Sequence, residues 1–146
     1  MNSELKNLYE SDGYAWFLTN AKLLKNRKFN EIDLENLVEE IESMGKYHES
    51  KLESFMIQLF LHLLKWEFQD KKRTRSWKVS IEKQRMNIEK HLEENPSLKG
   101  HLDRIVKTAY RYARKSAALE TALPIKTFPE QMSFSLEDAL TEYWVP

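Results

Sequence analysis

Cysteine is absent from the 146 residues. That excludes disulfides, thiolate nucleophiles and Cys-ligated zinc or iron–sulfur centres. Glycine and proline are scarce, with three and four copies, and the tight turns of an all-β chain depend on both. Three isolated glycines cannot build a glycine-rich phosphate loop, and no Gly-x-Ser-x-Gly elbow occurs. All four prolines follow residue 95, so nothing before that point carries the residue that breaks helices. Long apolar runs are missing as well. The longest, Phe55 to Leu64, covers about ten residues, half of what a membrane-spanning helix needs. The opening Met1-Asn2-Ser3-Glu4-Leu5-Lys6 reaches charged residues at once and has no signal-peptide core. These absences lead us to expect a soluble, cytoplasmic, all-α protein with no membrane association, organised as one domain over residues 1–146.

The formal net charge is zero, but the charges are segregated. Residues 31–53 hold Glu31, Asp33, Glu35, Glu39, Glu40, Glu42, Glu49 and Glu53 against Lys46 and Lys51. Residues 71–85 hold Lys71, Lys72, Arg73, Arg75, Lys78, Lys83 and Arg85 against Glu82, and Lys99 to Lys115 adds six bases against Asp103. A balanced total can conceal surfaces of one sign.

Periodicity predicts a bundle of about four main helices with a short C-terminal one. The first starts at Ser11 or Asp12 and runs to about Asn26, with Tyr14, Phe17, Ala21 and Leu24 on one face and Trp16 and Leu23 beside it. Asp33 is a good N-cap for the second, with Ile32 and Leu37 placed as a hydrophobic staple. Two columns then keep heptad phase: Leu34, Ile41, His48, Phe55 and His62, and Val38, Gly45, Leu52, Leu59 and Trp66. Such columns predict a continuous buried seam from Asp33 to Gln69. An unbroken helix of that length would span about 55 Å, against a diameter of about 40 Å for a compact domain of this size. We therefore expect a kink or break near Gly45, or else a protruding helix that meets a partner. A third helix runs from Thr74 or Ser76 to about Glu94 along Trp77, Ile81, Gln84, Ile88 and Leu92. Asn95-Pro96 bounds it. The fourth runs to about Thr121, its Ala109, Ala113, Ser116 and Ala117 suited to close helix packing. Ser135 and Asp138 are spaced as a capping box for the last helix, and Tyr143, Trp144 and Val145 are apolar enough to pack back onto the bundle.

Several stretches carry a family resemblance. They are Asp12-Gly13-Tyr14-Ala15-Trp16, the run from Ile32 through Asp33-Leu34-Glu35-Asn36-Leu37 to Met44-Gly45, and His62-Leu63-Leu64-Lys65-Trp66. Ser76-Trp77, Gln84-Arg85, Pro96-Ser97-Leu98, Glu120-Thr121 and Phe128-Pro129 belong with them. Collinear over nearly the whole chain, they resemble a bacterial family known only as domain of unknown function 29. The resemblance implies an all-helical domain of about this length and brings no activity, cofactor or functional residue. Many relatives have Cys-Pro after the Phe-Pro motif, where this chain has Gln131-Met132-Ser133.

Three sets of residues could carry function. Arg73, Arg75, Lys78 and Arg85, around Trp77, pair cations for phosphates with a ring for base stacking. Against nucleic acid stand the zero net charge and the place of Trp77 in the third helix's apolar stripe. Gln58 and His62, at i and i+4, could meet Gln84 as a buried polar network or as a pocket using the histidine's acid–base range. A metal centre is not expected, because no histidine lies three residues after a glutamate as carboxylate-bridged bundles require, and no cofactor is implied. The third set is the apolar surface itself: the 55–64 run needs burial on every side, and Trp16, Phe60, Trp66, Tyr110 and Trp144 are the aromatics whose exposure would mark a partner. The expected function is a non-catalytic protein-interaction or regulatory module, through a partner or a homodimer. A nucleic-acid-associated protein is the alternative, and an enzyme centred on His62 ranks third.

Overall fold

A computed structural model describes residues 3–141. The helices are α1 (Ser3–Ser11), α2 (Gly13–Lys25), α3 (Leu34–Phe68), α4 (Arg75–Glu94), α5 (Leu102–Thr121) and α6 (Leu136–Ala139). Short 3₁₀ segments lie at Asp70–Lys72, Pro96–His101 and Ile125–Thr127. There is no strand among the described residues, and no helix there is long and apolar enough to cross a membrane. The all-α bundle is as expected. Tyr143, Trp144 and Val145 lie outside the described residues. Contacts group the chain into two compact units, 1–47 and 48–146, described in turn.

The first unit contains α1, α2 and residues 34–47 of α3. The sequence reading begins its first helix at Ser11 or Asp12 and misses α1, whose Leu5 is buried. Asp12 caps α2, accepting from the Ala15 amide at 3.1 Å. The buried face of α2 is not the anticipated one. Tyr14, Phe17 and Leu24 point outward, while Trp16 and Asn20, four residues apart, turn inward. A polar clasp explains why the smaller apolar face won. The Trp16 indole Nε1 donates to Asp33 Oδ2 at 3.0 Å, and Asn36 Nδ2 donates to the same oxygen at 2.7 Å. The Asp33 backbone N–H donates to Asn20 Oδ1 at 3.0 Å, and Asn20 Nδ2 donates to the Trp16 carbonyl at 3.0 Å. Each of these groups is buried or half-buried, and leaving any one unpaired would cost about 1–3 kcal/mol. The clasp therefore fixes α2 against the start of α3, and the Tyr9 ring closes on Trp16 at 4.8 Å between centroids. Tyr9 also donates to Glu40 Oε1 at 2.7 Å, a bond that pushes the phenol pKa up to about 12.

The second unit holds residues 48–68 of α3 with α4, α5 and α6. Its core takes in most of the 55–64 run: Leu52, Met56, Leu59, Phe60, Leu63 and Leu64 are fully buried in one cluster with Ile81 and Ile88 of α4 and Ile105 of α5, while Phe55, Ile57 and His62 are half-buried and Gln58 is exposed. Ala109, Ala113 and Ala117 face the same core with no exposure, and small side chains four apart let α5 approach closely. Thr74 caps α4, accepting from the Trp77 amide at 3.2 Å. Pro96 opens the 3₁₀ segment before α5, so the fourth helix starts later than the Asn95-Pro96 boundary indicates. Arg114 Nε donates to the Phe128 carbonyl at 2.9 Å and Tyr110 Oη to the Pro129 carbonyl at 2.5 Å, tying the chain after α5 back onto that helix. Ser135 and Asp138 form the expected capping box on α6.

Of the kink or break expected near Gly45, the break requires a correction, because α3 runs as one helix from Leu34 to Phe68. A helix end in mid-run would strip four N–H and four C=O groups of their partners, whereas glycine costs only about 1 kcal/mol relative to alanine.

Two outcomes follow. A Cβ at Gly45 would meet nothing within 4 Å, so Gly45→Ala should raise unfolding free energy by about 1 kcal/mol in urea denaturation; a loss would contradict an unbroken α3. Burial works to raise the pKa of Asp33, but hydrogen bonds from the Asn36 and Trp16 side chains, with the nearby Asn36 amide and Lys6, outweigh it and hold the carboxyl below its ordinary 3.8. A lowered pKa contributes stability that is complete above the unfolded-state value and is lost as pH falls through the folded one. Asp33→Ala should thus cost about 2 kcal/mol at pH 7, and the gap between wild type and variant should narrow below about pH 4. A gap independent of pH would contradict the ionised clasp.

Candidate functional site

The heptad columns of α3 meet two environments. From Leu52 onward they are covered: Leu52 and Leu59 are fully buried, and Phe55, His62 and Trp66 are half-buried. Before Gly45 they are bare: Leu34 is 63% exposed, Val38 45%, Ile41 66% and the neighbouring Met44 66%. Leu34, Val38 and Ile41 recur at i, i+4 and i+7, so they form one apolar stripe along the helix. Glu35, Glu39 and Glu42 recur at the same steps on the adjoining face, giving the stripe an acidic edge. Glu35 is paired with Lys6 at 3.2 Å. On α2, Tyr14 (77% exposed), Phe17 and Leu24 form a second outward apolar stripe.

The second unit carries a groove of about 920 Å³ along α5. Leu102, Val106, Tyr110, Met132, Phe134 and Leu136 give it an apolar floor, and Lys107, Arg111, Arg114 and Lys115 supply four cations against Asp103 and Glu130. Lys107, Arg111 and Lys115 recur every four residues of α5, so the charges line up along one wall. Burial raises the Tyr110 pKa, keeping its hydroxyl a donor to Pro129.

The residues singled out from sequence do not assemble as a unit. Gln58 is exposed and His62 half-buried. The His62 Nδ1–H donates to the Gln58 backbone carbonyl at 2.7 Å rather than to its side chain, and Gln84 instead accepts from Asn87 at 3.4 Å. The three-residue network is thus not formed, and none of the three lines the α5 groove. Of the four cations proposed for phosphates, Arg75 and Lys78 are exposed and line a shallower groove on α4 with Val79 and Met86. Arg73 lies over the Trp66 ring at 5.0 Å and donates from Nε to the Trp66 carbonyl at 2.8 Å. Arg85 is 5% exposed; its Nε donates to the Ala139 carbonyl at 2.8 Å and its Nη1 meets Glu82 at 2.6 Å, so it anchors α6 instead of facing solvent. Trp77 is half-buried with Lys65 over its ring at 4.9 Å.

The aromatics chosen as exposure markers are also inverted. Trp16, Phe60 and Tyr110 are buried and Trp66 is half-buried, while Tyr14, Phe17, Phe29 and Tyr47 are open. Trp144 lies outside the described residues. Sequence reasoning missed His91, which is buried on α4 with Nε2 2.9 Å from the His48 carbonyl and its ring 5.6 Å from that of His48. Its place three residues after Ile88 on the buried face was the available signal. Among the described residues no group of three or more His, Asp or Glu is placed to hold a metal ion.

Neither the curated proteins nor the solved structures contain a match to this chain. A family model does match, over residues 8–145, which takes in nearly all of both units. The chain belongs to the family described as domain of unknown function DUF29.

Proposed function

We propose that the chain is a non-catalytic protein-interaction module whose contact surface is the exposed, acid-edged stripe Leu34, Val38, Ile41 and Met44 of α3. The observation that carries this reading is the change along one helix: the column buried at Leu52 and Leu59 stands open at Val38, and its neighbour, half-buried at Phe55 and His62, stands open at Leu34 and Ile41. Large apolar side chains at successive helical steps lose stabilisation in water and gain it against a partner, at about 25 cal/mol per Å² covered. An amphipathic helical face of this kind recognises a partner through i, i+4 and i+7 anchors.

The two alternatives draw less support. Nucleic-acid binding loses Arg73 and Arg85 to internal contacts, leaving Arg75 and Lys78 of the four cations. Catalysis at His62 lacks the expected Gln58 and Gln84 side-chain partners.

A photo-crosslinking amino acid at Ile41, compared with one at Lys90 on the exposed face of α4, tests the reading in the producing cell. Light-dependent adducts to protein are expected at position 41 and not at 90. No protein adduct at 41, or equal adducts at both, would remove the reading.

A further inference from the structure

The stripe on α3 and the groove on α5 have matching chemistry. The stripe offers Leu34, Val38 and Ile41 beside Glu35, Glu39 and Glu42; the groove offers an apolar floor beside Lys107, Arg111 and Lys115. Acids at i, i+4 and i+7 and bases at i, i+4 and i+8 are both rows of about two turns along a helix, roughly 10.5–12 Å at 1.5 Å per residue. A small ligand with a single anionic head would use one end of such a row. A helix with an acidic edge would use all of it. The exposed apolar face and the groove are both open in one chain, and each supplies what the other lacks.

We infer that the partner is a second copy of this chain, with the acid-edged stripe of one protomer laid into the basic α5 groove of the other and the reciprocal contact closing a two-fold dimer. The inference rests on the interaction reading above and adds the partner's identity. Two-fold closure uses each surface once per protomer and leaves none free to propagate. Direct pairing of two α3 stripes is disfavoured, because it would bring two acidic edges into one interface.

Charge exchange tests this with the full chain. One variant carries Glu39→Lys and Glu42→Lys, the other Lys107→Glu and Arg111→Glu; all four residues are exposed. Glu35 is left intact because it pairs with Lys6. Sedimentation velocity up to about 100 µM protein should show wild-type dimer that weakens as ionic strength rises past about 0.1 M. Each variant alone should dimerise at least about tenfold more weakly, since both reciprocal contacts become like-charged. An equimolar mixture should regain a heterodimer, because each contact again joins opposite signs. Circular dichroism of each variant checks that the helices are intact. A variant that unfolds is replaced by the single substitution Glu42→Lys or Lys107→Glu, read the same way.

A wild-type chain that stays monomeric, dimers indifferent to both reversals, or variants that do not rescue each other would overturn self-association. The interaction reading fails separately. Adducts at Ile41 to a different protein, with a monomeric wild type, would keep that reading and discard this one.

Discussion

A helix buries an apolar seam only where other elements lie against it. In this chain α3 has its seam enclosed over part of its length and bare over the rest. From Leu52 to Leu64 its side chains form the centre around which α4, α5 and α6 are arranged. Arg85 and Arg114 hold the following segments in place through the Ala139 and Phe128 carbonyls. Those contacts hold the segments that line the groove opposite α5. The groove lies along α5 of that unit, and the other half of α3 stands bare.

The two units are held by different physics. The second has a conventional core of leucines, isoleucines and aromatic rings, with Phe60 5.9 Å from Phe134 and Phe68 5.4 Å from Phe128. Among its described residues the first buries only Leu5 and Trp16 of its large apolar side chains. It relies on the hydrogen bonds joining Trp16, Asn20, Asp33 and Asn36, together with the ion pair of Lys6 and Glu35. A polar clasp specifies geometry more than it excludes water, because its worth depends on every donor meeting its acceptor. With few residues spent on a core, the apolar surface of the first unit stays outside, on α2 and on α3.

What could be read from the sequence follows the same division. Periodicity found α3, α4 and α5, the capping roles of Asp12, Thr74 and Ser135, and the small-residue face of Ala109, Ala113 and Ala117, because local rules govern each of them. It failed where tertiary context decides. The stripe of Tyr14, Phe17 and Leu24 is the stronger apolar pattern, yet α2 turns Trp16 and Asn20 inward because Asp33, distant in sequence, offers them partners. Arg85 reads as one more cation of a basic segment until the Ala139 carbonyl is known to lie beside it. The open half of the α3 seam has the same spacing as the buried half, so heptad phase alone cannot distinguish them. The candidate interface was therefore legible as a pattern and illegible as a surface.

Identical truncations in the two halves of that seam test the account most directly. Leu59 is fully buried and Leu34 is largely open. Leu59→Ala should lower unfolding free energy by about 2–5 kcal/mol, the cost of a cavity in a packed core. Leu34→Ala should change it by no more than about 0.5 kcal/mol in dilute protein, as at other surface positions. A comparable loss at both positions would mean that the chain itself covers the whole seam, and would contradict an open, partner-facing half of α3.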